Sequence, residues 1–142
     1  MKTTIAILLA AFAATAAAEP VTVGVHLGSV HIPKKPYHNN VNPGVYVRYA
    51  DWTVGTYKNT ISRQTVYLGY SKELGGGFEA MAGGATGYQR KCEPVCYGFS
   101  RGAVAPIIGL TYSPKTSGIR PRFWFTPGLM GASSVLHLSV EF

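Results

Sequence analysis

The sequence predicts an all-β protein, an eight-stranded antiparallel up-and-down β-barrel that crosses a membrane on its strands. Three observations predict it. The last strand alternates strictly: Leu136, Leu138, Val140 and Phe142 point one way, Val135, His137, Ser139 and Glu141 the other. An apolar leader opens the chain. The 124 residues that follow the leader suit eight strands of roughly 10 residues with turns.

The leader has the parts of a secretory signal. Lys2 supplies the positive start, Ile5 to Phe12 an apolar run too short to span a bilayer, and Ala16-Ala17-Ala18 a small-residue cleavage site. Residues 1–18 are therefore expected to be a signal peptide and 19–142 the barrel. No later stretch reaches the roughly 18 unbroken apolar residues of a membrane helix. Without Lys2, twelve Lys and Arg stand against six Asp and Glu, a net charge of +6. The acidic partner expected is lipopolysaccharide, by Coulomb attraction to its phosphates. No nucleic-acid motif is visible, and no cofactor is expected.

Strand one is read over Val21 to Ile32. Val21, Val23, Val25 and Leu27 form a lipid face, and Thr22, Gly24, His26 and Gly28 an interior face. The polar segment 33–42 is the first outer loop. Strand two runs from Gly44 to Tyr49, with Tyr46 and Arg48 inward. Ala50-Asp51 turns the chain into strand three, Trp52 to Lys58, with Gly55 and Tyr57 inward. A short loop, 59–64, leads to strand four, Thr65 to Ser71, with Tyr67 inward; 72–76 is an inner turn.

Strand five spans Gly77 to Tyr88, with Glu79, Met81 and Gly83 inward. The third outer loop, 89–102, holds Cys92 and Cys96. Two cysteines in an exported chain pair as a rule, so a disulfide is expected there. The alternative, a two-ligand metal site, falls short of the four ligands of structural zinc. Strand six is Ala103 to Tyr112, with Val104, Ile108 and Leu110 outward. Strand seven, Ile119 to Thr126, puts Phe123 and Phe125 outward and Arg120, Arg122 and Trp124 inward. Strand eight, Ser133 to Phe142, closes the sheet and resembles the C-terminal strand signal of bacterial outer-membrane barrels. Both termini are expected on the periplasmic side, in the outer membrane. Closure satisfies every backbone hydrogen bond in lipid. A secreted antiparallel sandwich would also alternate; the terminal Phe and the consistently apolar outer face favour the barrel.

The inward residues include His26, Arg48, Tyr67, Glu79, Arg120, Arg122, His137, Ser139 and Glu141. A barrel of eight strands is just wide enough to be filled by side chains, and charges buried there must pair. Glu79 and Glu141 are thus the expected partners of Arg48, Arg120 or Arg122. Two sets could do chemistry. His26 with Asn59 and Thr60 would supply a general base, an amide donor and a hydroxyl. His137 and Ser139 share a face, similar to the His-x-Ser of outer-membrane lipid A deacylases. The small residues Gly24, Gly28, Gly55, Gly83, Ala105 and Gly109 would leave room for an acyl chain.

Several segments carry a more specific likeness. They are Val25-His26-Leu27, Asn-Asn-Val-Asn-Pro-Gly from 39 to 44, Tyr57-Lys58-Asn59-Thr60 followed by Tyr67-Leu68-Gly69-Tyr70, Ala105-Pro106-Ile107-Ile108, and Phe125-Thr126-Pro127-Gly128. In this order they resemble the lipid A palmitoyltransferase family, eight-stranded outer-membrane barrels. The resemblance implies that His26 corresponds to the catalytic His, Asn59 to an Asp and Thr60 to a Ser. It also implies that Pro43, Pro106 and Pro127 sit where lateral gaps admit a lipid chain. The competing expectation is a non-catalytic surface barrel whose basic outer loops bind lipopolysaccharide or a host surface. A void beside His26 would favour lipid chemistry, and a lumen plugged by ion pairs the second.

Overall fold

A computed structural model of the chain describes residues 20–88, 91, 92, 96, 97, 104–128 and 133–142, with backbone alone at 91, 92, 96 and 97. Residues 1–18, expected as a signal peptide, lie outside the described residues.

The strands are β1 Thr22–Ile32, β2 Val41–Tyr49, β3 Trp52–Lys58, β4 Gln64–Gly75, β5 Phe78–Ala85, β6 Lys91–Cys92, β7 Cys96–Tyr97, β8 Ala105–Tyr112, β9 Arg120–Thr126 and β10 Ser134–Glu141. Eight of them close into one antiparallel barrel, in the order β1-β10-β9-β8-β5-β4-β3-β2. β6 and β7 form a separate two-stranded ribbon in the β5–β8 connection. Among the described residues there is no helix. Each barrel strand pairs with the two beside it, so the described sheet has no terminal strand.

Which side chains point inward follows from the pleat. Among the described residues, 24 large hydrophobic side chains are exposed, while seven hydrophobic and 14 polar or charged ones are buried. This inverts the usual sorting of a water-soluble domain. Val45, Val47, Val54, Val66, Leu68, Ile108, Leu110, Phe125, Leu136 and Leu138 make an apolar belt. At the end where β1 begins and β10 finishes, Trp52 packs on Tyr70 and Phe78 on Tyr112, with ring centroids 5.1 and 4.6 Å apart.

The expected bounds are corrected in four places. β2 begins at Val41, so Pro43 lies within a strand. β4 runs on through Lys72 to Gly75, and the turn tightens onto Gly76 and Gly77, both with positive φ that glycine tolerates. β5 stops at Ala85. The fourth correction concerns phase. β1 carries a bulge: His26 pairs with Ser139, but Gly28, not Leu27, pairs with Leu138. The extra residue flips every side chain beyond it. Gly28 therefore joins the outward phase, and Ser29 and His31 turn into the lumen. The same irregularity sets Asn42 and Pro43 opposite Leu27, where the missing proline donor breaks no regular ladder.

Candidate functional site

The lumen is built in three layers. The layer nearest the start of β1 and the end of β10 is ionic. Arg122, fully buried on β9, donates to Glu79 at 3.3 and 2.5 Å and to Thr111 Oγ1 at 3.0 Å. Arg48 donates to both oxygens of Glu79 at 2.9 and 3.1 Å and to Glu141 at 3.2 Å. Arg122 also lies 3.5 Å from Glu141. Arg120, more exposed, stands 3.9 Å from Glu141. Two carboxylates thus serve three guanidinium groups, and the Tyr46 hydroxyl adds a donor to Glu141 at 3.2 Å. A polar cavity of about 310 Å³ opens below this layer, lined by Arg48, Ala50, Asp51, Ser71, Glu73 and Glu79.

The middle layer is aromatic. His26 sits among the rings of Tyr46, Tyr57, Tyr67, Trp124 and His137, with centroids 4.7 to 5.6 Å away. Its Nε2 is 2.9 Å from the Tyr67 hydroxyl, and its Nδ1 is buried with no hydrogen-bond partner among the described residues. The expected room for an acyl chain is taken up. A Cβ on Gly24 would fall 2.2 Å from Tyr46 Cζ, and one on Gly55 2.6 Å from Tyr46 Cβ and 2.7 Å from the Tyr67 ring. These glycines make space for tyrosines. At Gly83 and Gly109 a Cβ would meet the backbone of Leu68 and Phe125, and at Gly28 that of Asn40. Ala105 is itself buried.

The layer at the loop end is polar. Ser29 donates to Asn42 Oδ1 at 2.5 Å, and Asn42 donates to the carbonyl of Lys58 at 2.9 Å. His31 Nδ1 is 2.8 Å from Asn40 Oδ1. His38, in the loop above, stacks on His31 with centroids 4.2 Å apart. Burial, aided by the nearby His31 and Lys35, holds the His38 imidazole down to about 4. Tyr88 shares a 2.7 Å hydroxyl contact with Tyr57 and hydrogen-bonds Thr60. Burial pushes its phenol up to about 12, against the pull of those two bonds.

The three residues carried over from the family resemblance are not assembled by the hydrogen bonds of the described residues. Asn59 is fully buried one position beyond β3. Its amide donates to Thr65 Oγ1 and the carbonyl of Gly87, each at 3.0 Å, and accepts from the backbone N–H of Ile61 and Arg63. Every one of its bonding positions is spent on the turn, so it has no donor left for an oxyanion. Thr60 accepts through its carbonyl from Asn39 N–H and bonds Tyr88 through its side chain. His26 bonds Tyr67 instead. Ser139 contacts the Tyr46 hydroxyl at 3.1 Å and donates to the carbonyl of Arg122 at 3.3 Å, so its hydroxyl is not engaged by His137.

Sequence reading missed Ser29, His31 and Asn42. The one signal that could have found them is the Gly28 inside an alternating strand, which marks a bulge. Cys92 and Cys96 are cross-strand partners in the β6–β7 ribbon, but their side chains lie outside the described residues. Among the described residues no group of three or more His, Cys, Asp and Glu converges as a metal site.

Comparison with protein-family models, with curated proteins and with solved structures finds no match to this chain.

Proposed function

We propose that the chain is a small outer-membrane barrel, not an enzyme, that offers a basic end to the phosphates of lipopolysaccharide. The observation that carries this reading is where the charge falls. The segments joining strands at the loop end, with Lys58 closing β3, hold Lys34, Lys35, Lys58, Arg63, Arg90, Lys91 and Arg101 against Glu93 alone. All other charged residues of 19–142 come to five of each sign. By position in the chain the net +6 falls in the segments that join strands at one end of the barrel, and such a field raises the local concentration of polyanions. The apolar belt, the aromatic pairs at the opposite end and the leader support insertion with the basic end outward and the termini in the periplasm. A lumen filled by rings and ion pairs speaks against an enclosed acyl site.

The test is a titration of the folded barrel in detergent micelles with lipid A and with enzymatically dephosphorylated lipid A. Binding should require the phosphates, weaken steeply with added salt, and fall when Lys34, Lys35, Lys58 and Arg63 are changed to Gln together. Equal binding of both lipids would sink the proposal.

A second reading, a lipid A-modifying acyltransferase, keeps two observations in its favour. His26 Nδ1 has no hydrogen-bond partner among the described residues. β8 and β9 pair only over Leu110 to Tyr112 and Phe123 to Phe125, leaving the seam between Pro106 and Pro127 unladdered. Mass spectrometry of lipid A from cells with and without the protein separates the two readings; an added acyl chain that vanishes in His26→Ala would establish the second.

A further inference from the structure

We propose that His31 and His137 form a two-imidazole site for a divalent transition metal, Cu²⁺ above all, in the lumen beneath the 33–40 loop. The inference goes beyond lipid recognition and does not depend on it.

The argument begins with the bulge in β1. Because it turns His31 inward, His31 and His137 lie on adjacent strands as diagonal neighbours. Ser29 is opposite His137, and His31 is opposite Val135, two positions further along each strand. Diagonal Cα atoms in such a pair are about 7–8 Å apart, with Cβ atoms closer. Two imidazoles can span that separation to share an ion about 2 Å from each nitrogen. Both side chains are buried, at 4% and 8% exposure. In both, Nε2 is buried with no hydrogen-bond partner among the described residues.

The chemistry of His31 is the more telling half. Its Nδ1 faces Asn40 Oδ1, which can only accept, so Nδ1 carries the proton. In the neutral ring Nε2 is then a bare lone pair aimed into the lumen. An imidazole anchored by Nδ1–H to an amide oxygen, with Nε2 free, is how metal-ligating histidines are oriented. A buried lone pair without a donor is otherwise a cost. His38 is left out of the site: with Nδ1 accepting from the Lys35 N–H, its neutral ring carries the proton on Nε2 and offers no free lone pair. Two neutral nitrogens with the remaining positions open to water suit a borderline metal, and the order of affinities places Cu²⁺ ahead of Ni²⁺ and Zn²⁺.

The experiment uses the tag-free folded barrel in detergent micelles, titrated calorimetrically and separately with Cu²⁺, Ni²⁺ and Zn²⁺. One Cu²⁺ per barrel should bind, more tightly than the other two. Its electron paramagnetic resonance should show two equatorial nitrogens. His31→Gln and His137→Gln should each leave one nitrogen and weaken binding by about tenfold or more, and Asn40→Ala should weaken it by about tenfold, as loss of an orienting partner does. His38→Ala should leave the two-nitrogen signal in place. Resistance of each variant to unboiled gel denaturation shows that it has folded; should His31→Gln fail that check, His137→Gln carries the test. Absence of saturable binding, which leaves water as the only occupant, overturns the proposal. So does a signal unchanged in His137→Gln, or one lost in His38→Ala.

Discussion

Arg122 on β9 and Glu79 on β5 meet across the lumen at 2.5 Å, although β8 separates their strands in the sheet. Glu79 is shared with Arg48, so one carboxylate ties together three strands that do not all adjoin. Removing it strands two guanidinium groups in a confined space. Glu79→Ala should lower barrel stability by about 3–5 kcal/mol, the cost of breaking a buried pair from one side. Arg120→Ala, at a 3.9 Å contact and 41% side-chain exposure, should change it little. Urea unfolding of the two variants in detergent measures the contrast.

Asn59→Ala should behave as a structural lesion. The fully buried amide holds the backbone of Ile61 and Arg63 and the segment around Gly87, so its loss leaves several buried groups unpaired. Each such group costs about 1–3 kcal/mol. Limited proteolysis should cut within 59–64 faster in the variant, and Thr60→Ala should have the smaller effect. A variant with unchanged protease resistance would contradict this.

His38 ties the loop end to pH. In the folded chain its imidazole titrates at about 4, and in an unfolded one near the ordinary 6.5. Between those values the unfolded state binds the extra proton, so folding of this loop weakens as pH falls from 6.5 to 4 and changes no further below. Above 6.5 there is no dependence from this group. Nuclear magnetic resonance of the His38 ring should give a midpoint near 4, rising toward 6.5 in His31→Ala, where the stacked ring that helps bury it is gone.

The β6–β7 ribbon makes Cys92 and Cys96 directly opposed partners. Opposed residues in antiparallel strands stand about 4.5–5.5 Å apart at Cα, within the span of a disulfide. Protein folded under oxidising conditions should therefore resist thiol reagents until reduced. Replacing both cysteines by Ser should cost little stability, because the loop closed is short and β5 and β8 already hold its ends. Two free thiols in protein prepared without reductant would refute the pairing.

The alternation along the chain is enough to read the barrel and most of its faces. Alternation with period two separates outward-facing from lumen-facing positions without reference to any partner strand, and β3 over Trp52 to Lys58 needs nothing else. The inward placement of Tyr46, Tyr67, Arg122, Trp124 and Glu141 is legible for the same reason. Tertiary structure decided three things. The bulge at Leu27 depends on how β1 registers against both β2 and β10, and one extra residue sends Ser29 and His31 inward. The fate of the glycines depended on side chains from other strands: Gly24 and Gly55 read as free space, yet Tyr46 and Tyr67 fill it. The partners of each charge were set by closure, because Glu79 and Arg122 become neighbours only when the sheet curls round and brings non-adjacent strands across a lumen one side chain wide.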